Sequence, residues 1–213
     1  MYEFKNVKYK DILDIDNLLI EENRITFVSG PSGSGKSTFL KLLNKMISQD
    51  SGNIYYKGKD INSLDSVELR RKVLMLYQSP TIYEGNIRDN LLIGRKFAHQ
   101  EEINDNKLKE ILKKVLLDKN LEDSPANFSG GEKQRLSLAR IMVMDFETLI
   151  LDEPSSALDR KNELEIVGSI VNFVKENNRN LITVSHSNNL LKEFAEDIIH
   201  IKNKNAIKEK VNE

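Results

Sequence analysis

A run of small residues and one lysine near the N-terminus has the composition of a phosphate-binding loop. It follows an apolar stretch at 25–28, which predicts a buried strand, and precedes residues 39–43, which predict a helix. Glycines let several backbone N–H groups point into one concavity, and the start of the helix adds positive dipole. Lys36 can reach the outer phosphates of a nucleotide, and the Ser37 hydroxyl can ligate Mg²⁺. The residues that we expect to hold the phosphates are Gly30, Pro31, Ser32, Gly33, Ser34, Gly35, Lys36, Ser37 and Thr38.

Two consecutive acids follow a second apolar run. Residues 148–151 predict a strand, and Asp152 and Glu153 come directly after it. In parallel α/β sheets, ligands bind at the carboxyl ends of the strands. There Asp152 could hold Mg²⁺, and Glu153 could orient or deprotonate an attacking water. Alone, the two acids could equally be ordinary loop residues, but together with the phosphate-binding loop they predict a site of nucleotide hydrolysis.

A third polar motif opens a predicted helix. Ser129, Gly130 and Gly131 stand at its start, and the helix is expected to run to about residue 144. Free backbone N–H groups at a helix start bind anions. The alternative is a flexible helix start without a ligand.

The elements around these motifs alternate between strand and helix, which predicts an α/β fold with a parallel core sheet covered by helices. Strands are predicted at 2–7, 17–20, 25–28, 54–56, 73–77, 149–151, 181–184 and 198–201. From residue 85 to 118 apolar residues recur at helical spacing, which predicts an inserted helical part. We also expect the first helix to reach residue 47, a turn at 51–53, and a Lys/Asn-rich tail from residue 202.

The composition is that of a globular protein without a strong electrostatic partner. The 213 residues suit one domain, and the net charge is −1. The sequence has no concentrated basic stripe of the kind that binds nucleic acid. The chain has no cysteine, which excludes disulfides and thiolate metal sites. No apolar run approaches the ~18 residues that a membrane-spanning helix needs. We therefore expect a soluble protein that reaches a membrane only through a partner.

With these motifs in this order, the chain resembles the ATP-binding cassette (ABC) ATPases over essentially its whole length. Residues 128–132 are similar to the family signature Leu-Ser-Gly-Gly-Gln, with Phe128 in the first position and Glu132 in the last. The resemblance implies an α/β fold that has a P-loop NTPase core, an N-terminal antiparallel β part and an inserted helical subdomain. It divides the single domain into a core with the β part (1–84 and 146–213) and a helical subdomain (85–145).

The resemblance also implies roles for residues outside these runs. Gln78 resembles the glutamine that touches Mg²⁺ and the attacking water, and His186 resembles the histidine that contacts the γ-phosphate. Tyr9 resembles the aromatic that stacks on adenine, but it could also be an ordinary strand residue. The implied catalytic residues are Lys36, Gln78, Glu153 and His186, and the implied Mg²⁺ ligands are Ser37, Gln78 and Asp152. The residues implied to act on ATP held by a partner cassette are Ser129, Gly130, Gly131, Glu132 and Asp159, the last in a loop at 156–159.

Partners follow from the same resemblance. Cassettes of this family pair head to tail, so we expect a second copy of the chain or a paralogous cassette, with ATP and Mg²⁺ between the two. Residues 79–91 resemble the segment of exporter-type cassettes that contacts membrane subunits, although its apolar residues could equally pack internally.

We therefore expect the ATP-hydrolysing subunit of a bacterial transporter, held at the inner face of the cell membrane by separate transmembrane permease subunits. Export is favoured over import, and no nucleic-acid partner is expected. The alternative is a soluble ABC ATPase that acts in assembly, repair or on ribosomes.

Overall fold

The computed structural model describes residues 1–154 and 160–211. Its strands are β1 (Tyr2–Tyr9), β2 (Leu13–Ile20), β3 (Ile25–Ser29), β4 (Ser51–Tyr56), β5 (Lys59–Asp60), β6 (Val73–Leu76), β7 (Thr148–Asp152), β8 (Asn180–Val184), β9 (Asp197–Lys202) and β10 (Asn205–Lys210). Its α-helices are α1 (Lys36–Leu43), α2 (Ser66–Lys72), α3 (Ile87–Ala98), α4 (Asp105–Lys114), α5 (Gly130–Met142), α6 (Arg160–Glu176) and α7 (Asn188–Phe194).

The strands form two sheets. The central sheet has the spatial order β10-β9-β3-β8-β7-β6, in which only the β10–β9 pair is antiparallel among the described strands. The second sheet has the order β2-β1-β4-β5, and its pairs are antiparallel. The predicted α/β class, with a mostly parallel sheet, an N-terminal antiparallel part and inserted helices, is confirmed.

The central sheet is buried on both faces. In β7, Leu149 and Leu151 pack into a core shared with α3, α4, α5 and α6, whereas Ile150 faces a second core formed with α1 and the antiparallel sheet. Successive side chains of a strand point to opposite faces, so a strand covered on both sides is a continuous apolar run. This burial explains why β7 and β8 are recognisable in the sequence.

Helices α3, α4 and α5 lie between β6 and β7 in the chain. A capping box formed by Asn86 and Asp89 starts α3. Arg88 forms ion pairs with Asp105 and Glu122, which join α3 to the start of α4 and to the linker after it. The helical insert is thus fixed by side chains at its ends as well as by its apolar face. No helix in the described ranges has the length and apolarity that would let it cross a membrane.

The first helix is shorter than predicted. Helix α1 ends at Leu43 instead of continuing to residue 47, and Lys45 has a left-handed φ of 53°. The Lys45 amine donates hydrogen bonds to the carbonyl oxygens of Asn62 (2.9 Å) and Leu64 (2.6 Å). These contacts hold the chain out of the helical path, and they come from residues that lie after the helix in the sequence.

The turn predicted at 51–53 is wrong, because these residues belong to β4. Ser51 and Asn53 pair with β1, and the register shifts between Lys5 and Lys8. A Cβ atom at Gly52 would lie 2.1 Å from the carbonyl oxygen of Asn6. The glycine is therefore needed for close approach at a β-bulge.

The C-terminal tail after residue 202 contains a strand that the sequence analysis missed. Strand β10 pairs with β9, and the two residues between them, Asn203 and Lys204, have φ values of 52° and 68°. Positive φ at both central residues is typical of a type I′ hairpin turn. Ala206 is buried, while Ile207 is 64% exposed. The polar, solvent-facing residues of this edge strand concealed it.

Candidate functional site

The phosphate-binding loop (residues 30–38) connects the end of β3 to α1. The Lys36 amine, buried against this loop, donates hydrogen bonds to the carbonyl oxygens of Gly30 and Pro31, both at 2.9 Å. Gly35 caps the helix with a left-handed φ of 99°. The lysine is therefore already folded over the concavity of the loop, at the positive end of α1.

The loop is packed tightly between two other parts of the fold. A Cβ atom at Gly30 would lie 2.3 Å from the Ile201 carbonyl oxygen, and one at Gly35 would lie 2.9 Å from the Ile12 side chain. The Ser34 hydroxyl is buried without a hydrogen-bond partner in the described structure. A phosphate oxygen would accept the hydrogen bond that this hydroxyl can donate, so the loop fits a bound phosphate. The other loop side chains are exposed or half-buried (Pro31, Ser32, Ser37 and Thr38).

Glu153 is the centre of a second cluster. The Gln78 amide donates to Glu153 Oε2 at 3.0 Å, and His186 Nε2 lies 3.2 Å from Glu153 Oε1. Both carboxylate oxygens are thus engaged by polar side chains, although Gln78 and His186 remain exposed. Glu153 itself has a left-handed φ of 51°, which turns the chain sharply after β7. The cluster can orient a water molecule and accept its proton.

The order of the central sheet explains why these groups converge. The phosphate-binding loop follows β3, His186 follows β8, Glu153 follows β7 and Gln78 follows β6. These four strands are adjacent and parallel. Their carboxyl ends therefore lie at one edge of the sheet, where ligands bind in folds of this kind.

The residues predicted to hold Mg²⁺ lie at the same edge. Asp152 is the half-buried last residue of β7, Ser37 is the second residue of α1, and Gln78 follows β6. No group of three or more His, Cys, Asp or Glu side chains that could hold a metal is found in residues 1–154 and 160–211. Mg²⁺ generally uses one or two carboxylates together with phosphate oxygens and waters. The hydroxyl, amide and carboxylate oxygens present fit that ion once a nucleotide supplies phosphates.

Helix α5 starts with exposed groups. Ser129 is its N-cap and forms a capping box with Glu132, and no atom lies within 4 Å of a Cβ atom built at Gly130. Hydrogen bonds from Ser129 and the ion pair with Lys119 lower the pKa of Glu132 to about 2, the backbone N–H of Ser129 having the largest effect. The start of α5 is thus an open surface of backbone N–H groups beside an ionised carboxylate.

Gln134 is a site residue that the sequence analysis missed. Its side chain is fully buried, and its amide donates to the carbonyl oxygen of Pro154 at 3.1 Å. This bond joins α5 to the residue directly after Glu153. The sequence signal was spacing: Gln134 lies four and seven residues before Leu138 and Ile141, which places it on the apolar face of the helix.

The structure leaves the predicted roles of Tyr9 and Asp159 as predictions. Tyr9 is the half-buried last residue of β1, with the Lys10 amine 5.3 Å from its ring centre. The turn that follows places Ile12 against the phosphate-binding loop, so Tyr9 is near the candidate site and its adenine-stacking role stays a prediction. Asp159 and the rest of the loop predicted at 156–159 lie outside the described residues, and no structure is assigned to them.

Comparisons with known proteins agree on one family. Residues 13–156 match the family model described as ABC transporter. The chain is 37% identical over 79% of its length to "ABC transporter I family member 17" of Arabidopsis thaliana, and the aligned part spans 64% of that relative. It is 31% identical over 98% of its length to "Petrobactin import ATP-binding protein YclP" of Bacillus subtilis, with 86% of that protein covered.

A solved structure shares the whole fold. The dimeric post-hydrolysis state of the ATP-binding cassette MJ0796, bound to ADP and Pi, superposes with a TM-score of 0.87 and 27% identity, and each chain is covered completely. The family model covers more than half of the chain, and the fold and the order of the motifs agree with it. The chain therefore belongs to the ABC transporter family and is one of its ATP-binding cassettes.

Proposed function

We propose that this chain binds ATP in the phosphate-binding loop, hydrolyses it at Glu153, and so powers transport through separate membrane-spanning subunits. The observation that carries the proposal is the position of Glu153, held by Gln78 and His186 at the sheet edge where the phosphate-binding loop begins. A carboxylate in this position can take a proton from a water that attacks the terminal phosphate.

Each polar side chain of the site has a role in this proposal. Lys36 exchanges its loop carbonyls for phosphate oxygens, and the N–H groups at the start of α1 bind the same anion. Gln78 and His186 hold Glu153 and contact the attacking water or the terminal phosphate. Ser37, Gln78 and Asp152 would hold Mg²⁺, which would supply positive charge to the phosphates.

The start of α5 provides the second half of a composite site. Ser129 and Gly130 are exposed, and the space in front of Gly130 is open. We propose that two cassettes, identical or paralogous, pair head to tail, so that α5 of each reaches the ATP held by the other. The dimeric structure of the MJ0796 cassette supports the pairing of two cassettes. The division into a core (1–84 and 146–213) and a helical subdomain (85–145) is part of the same proposal.

A groove between β6 and α3 is the candidate surface for the membrane subunits. Its volume is about 420 Å³, and Thr81 and Tyr83 of the segment predicted for docking line it together with Met144. Within the same segment, Ile87 and Leu91 are buried and pack internally. Docking here would hold the cassette at the cytoplasmic face of a membrane.

Transport is favoured over a soluble role. The family model carries the description ABC transporter, and the Bacillus subtilis relative is named for petrobactin import. That second name weighs against the preference for export in the sequence analysis. The cargo itself would bind to other subunits.

The proposal is tested at Glu153. The variant Glu153→Gln keeps the shape of the side chain but cannot accept a proton, so hydrolysis should fall by about 10²–10⁴-fold while ATP affinity stays unchanged. With ATP and Mg²⁺ it should accumulate as a dimer in size-exclusion chromatography, because the closed state is no longer released. Glu102→Gln, at an exposed carboxyl between α3 and α4, is the matched control. Wild-type turnover by Glu153→Gln would overturn the assignment of the base.

A further inference from the structure

Three side chains meet at the start of α5. The Ser129 hydroxyl donates to Glu132 Oε2 at 2.8 Å, and the Ser129 backbone N–H donates to the same oxygen at 2.9 Å. The other oxygen, Glu132 Oε1, lies 3.1 Å from the amine of Lys119. The family signature as quoted above has a neutral glutamine where this chain has Glu132. In this chain the negative charge of Glu132 is thus paired with Lys119, which lies in the segment before the helix.

The structure fixes the backbone that carries Lys119. Its neighbours Leu117 and Leu121 are both buried in the helical core, so the residues between them cannot move freely. The Lys119 amine also lies 5.3 Å from the ring centre of Phe128, the residue before Ser129. The Lys119 side chain thus extends across Phe128 to the Glu132 carboxylate. It is 37% exposed.

An unpaired carboxylate at this place would oppose the proposed reaction. In the head-to-tail dimer, the start of α5 receives the terminal phosphate of the ATP held by the opposite cassette. Glu132 is held as an anion by three hydrogen-bond or ionic contacts, and like charges repel most strongly where water is excluded. Among the described contacts, the positive end of the α5 dipole and the Lys119 amine offset the repulsion between Glu132 and the phosphate.

We propose that Lys119 is a positioning residue for the composite ATP site: it neutralises Glu132 and so lets the start of α5 accept the phosphate of an opposing ATP. This inference rests on the head-to-tail dimer of the proposed function. Lys119 itself need not touch ATP. It keeps the carboxylate turned toward the cap of α5 and cancels its charge.

The experiment uses ATP-dependent dimerisation of the Glu153→Gln chain, measured by sedimentation with ATP and Mg²⁺. Adding Lys119→Met removes the charge and keeps an aliphatic stem over Phe128. We expect the dimer dissociation constant to rise about tenfold, since two sites per dimer lose a neutralising contact. Lys119→Arg should stay near the parent. Lys113→Met, at an exposed lysine near the end of α4, is the matched control and should also stay near the parent.

A second substitution separates charge from packing. Combining Lys119→Met with Glu132→Gln removes both charges, and dimerisation should return to within about twofold of the parent. A combined variant that remains as weak as Lys119→Met would overturn the inference, because Lys119 would then act by packing on Phe128. A Lys119→Met chain that dimerises like the parent would overturn it too. If the parent binds ATP but never dimerises, the head-to-tail proposal fails, and this inference fails with it.

Discussion

Lys36 lies in a preformed environment that ATP would take over. Its amine is held by two carbonyl oxygens of its own loop, at 2.9 Å each. Hydrogen bonds between an ammonium and a phosphate are charge-assisted and stronger than bonds to neutral carbonyls. The exchange of carbonyls for phosphate is therefore favourable, and little side-chain order is lost because the lysine is already buried. This is the physical basis for a large effect of a single residue on nucleotide affinity.

Replacing Lys36 tests this exchange. Lys36→Ala should weaken ATP binding by about 10- to 100-fold, since a hydrogen bond to a charged group contributes roughly 1.5–3 kcal/mol and 1.4 kcal/mol is tenfold in affinity. Equilibrium titration with ATP measures the change, and circular dichroism verifies that the fold is kept. Lys41→Ala, at a half-buried lysine of the same helix, should bind like the wild type. Near-native affinity of Lys36→Ala would contradict the assignment of the loop.

The residues of the candidate site were proposed from the sequence, but the contacts between them could not be predicted. Glu153 was placed after a strand, yet its bond with Gln78 joins residues far apart in the chain, and only the order of the strands brings them together. Glu132 and Lys119 show the same limit, because an ion pair between a linker and a helix start has no spacing signature. Local motifs predict residue types, whereas partners depend on topology.

At the scale of elements, buried strands were predicted well and exposed ones poorly. Strands β7 and β8 are covered on both faces, so their apolar runs are unambiguous. Strand β10 is a polar edge strand, and Gly52 suggested a turn although it serves a bulge. The end of α1 depends on a lysine that binds carbonyls of a later loop. Each miss arises where a long-range contact overrides a local preference.

The role of the α5 start in hydrolysis can be tested at its N-cap. Ser129→Arg should abolish hydrolysis, because a long cation at the N-cap fills the place of the opposing phosphate and removes the cap. The partner chain is Lys36→Ala, at an ATP concentration too low for that variant to bind. Mixing the two should restore about a quarter of the wild-type rate per chain, because half of the two-fold dimers are mixed and one of their two sites is intact.

The mixing experiment is read as the hydrolysis rate at several total protein concentrations. Ser124→Arg, at the exposed residue that caps the short 3-10 helix Pro125–Asn127, is the control for a bulky cation in this region. If mixtures of the two folded variants show no recovery of hydrolysis, α5 acts on the ATP of its own chain. That result would contradict the head-to-tail arrangement.

For the whole molecule, an open groove lies between the central sheet and the inserted helices. It continues from Tyr83 to an apolar area on α2 and α3, where Val67 is 51% and Phe97 is 73% exposed. The Arg140 guanidinium stacks on Tyr83, 4.7 Å from the ring centre, so one wall of the groove is fixed by α5. A helix bound here would contact the inserted helices and the strand that leads to Gln78 together. Movement at the ATP site and movement of a bound membrane subunit would therefore be coupled through rigid elements.

The role of this groove in membrane contact can be tested at Phe97. Phe97→Asp should reduce recovery of the cassette with native membranes at least tenfold, because it places a charge in the apolar part of the groove, while ATP affinity stays unchanged. Ile207→Asp, at an exposed apolar residue of β10, is the matched control and should leave recovery unaffected. Arg88 is unsuitable for this test despite its place in the segment predicted for docking, since its ion pairs with Asp105 and Glu122 stabilise the helical insert. Loss of membrane recovery in both Phe97→Asp and Ile207→Asp would show a general effect of charge, and full recovery of a folded Phe97→Asp chain would place the membrane contact elsewhere on the cassette.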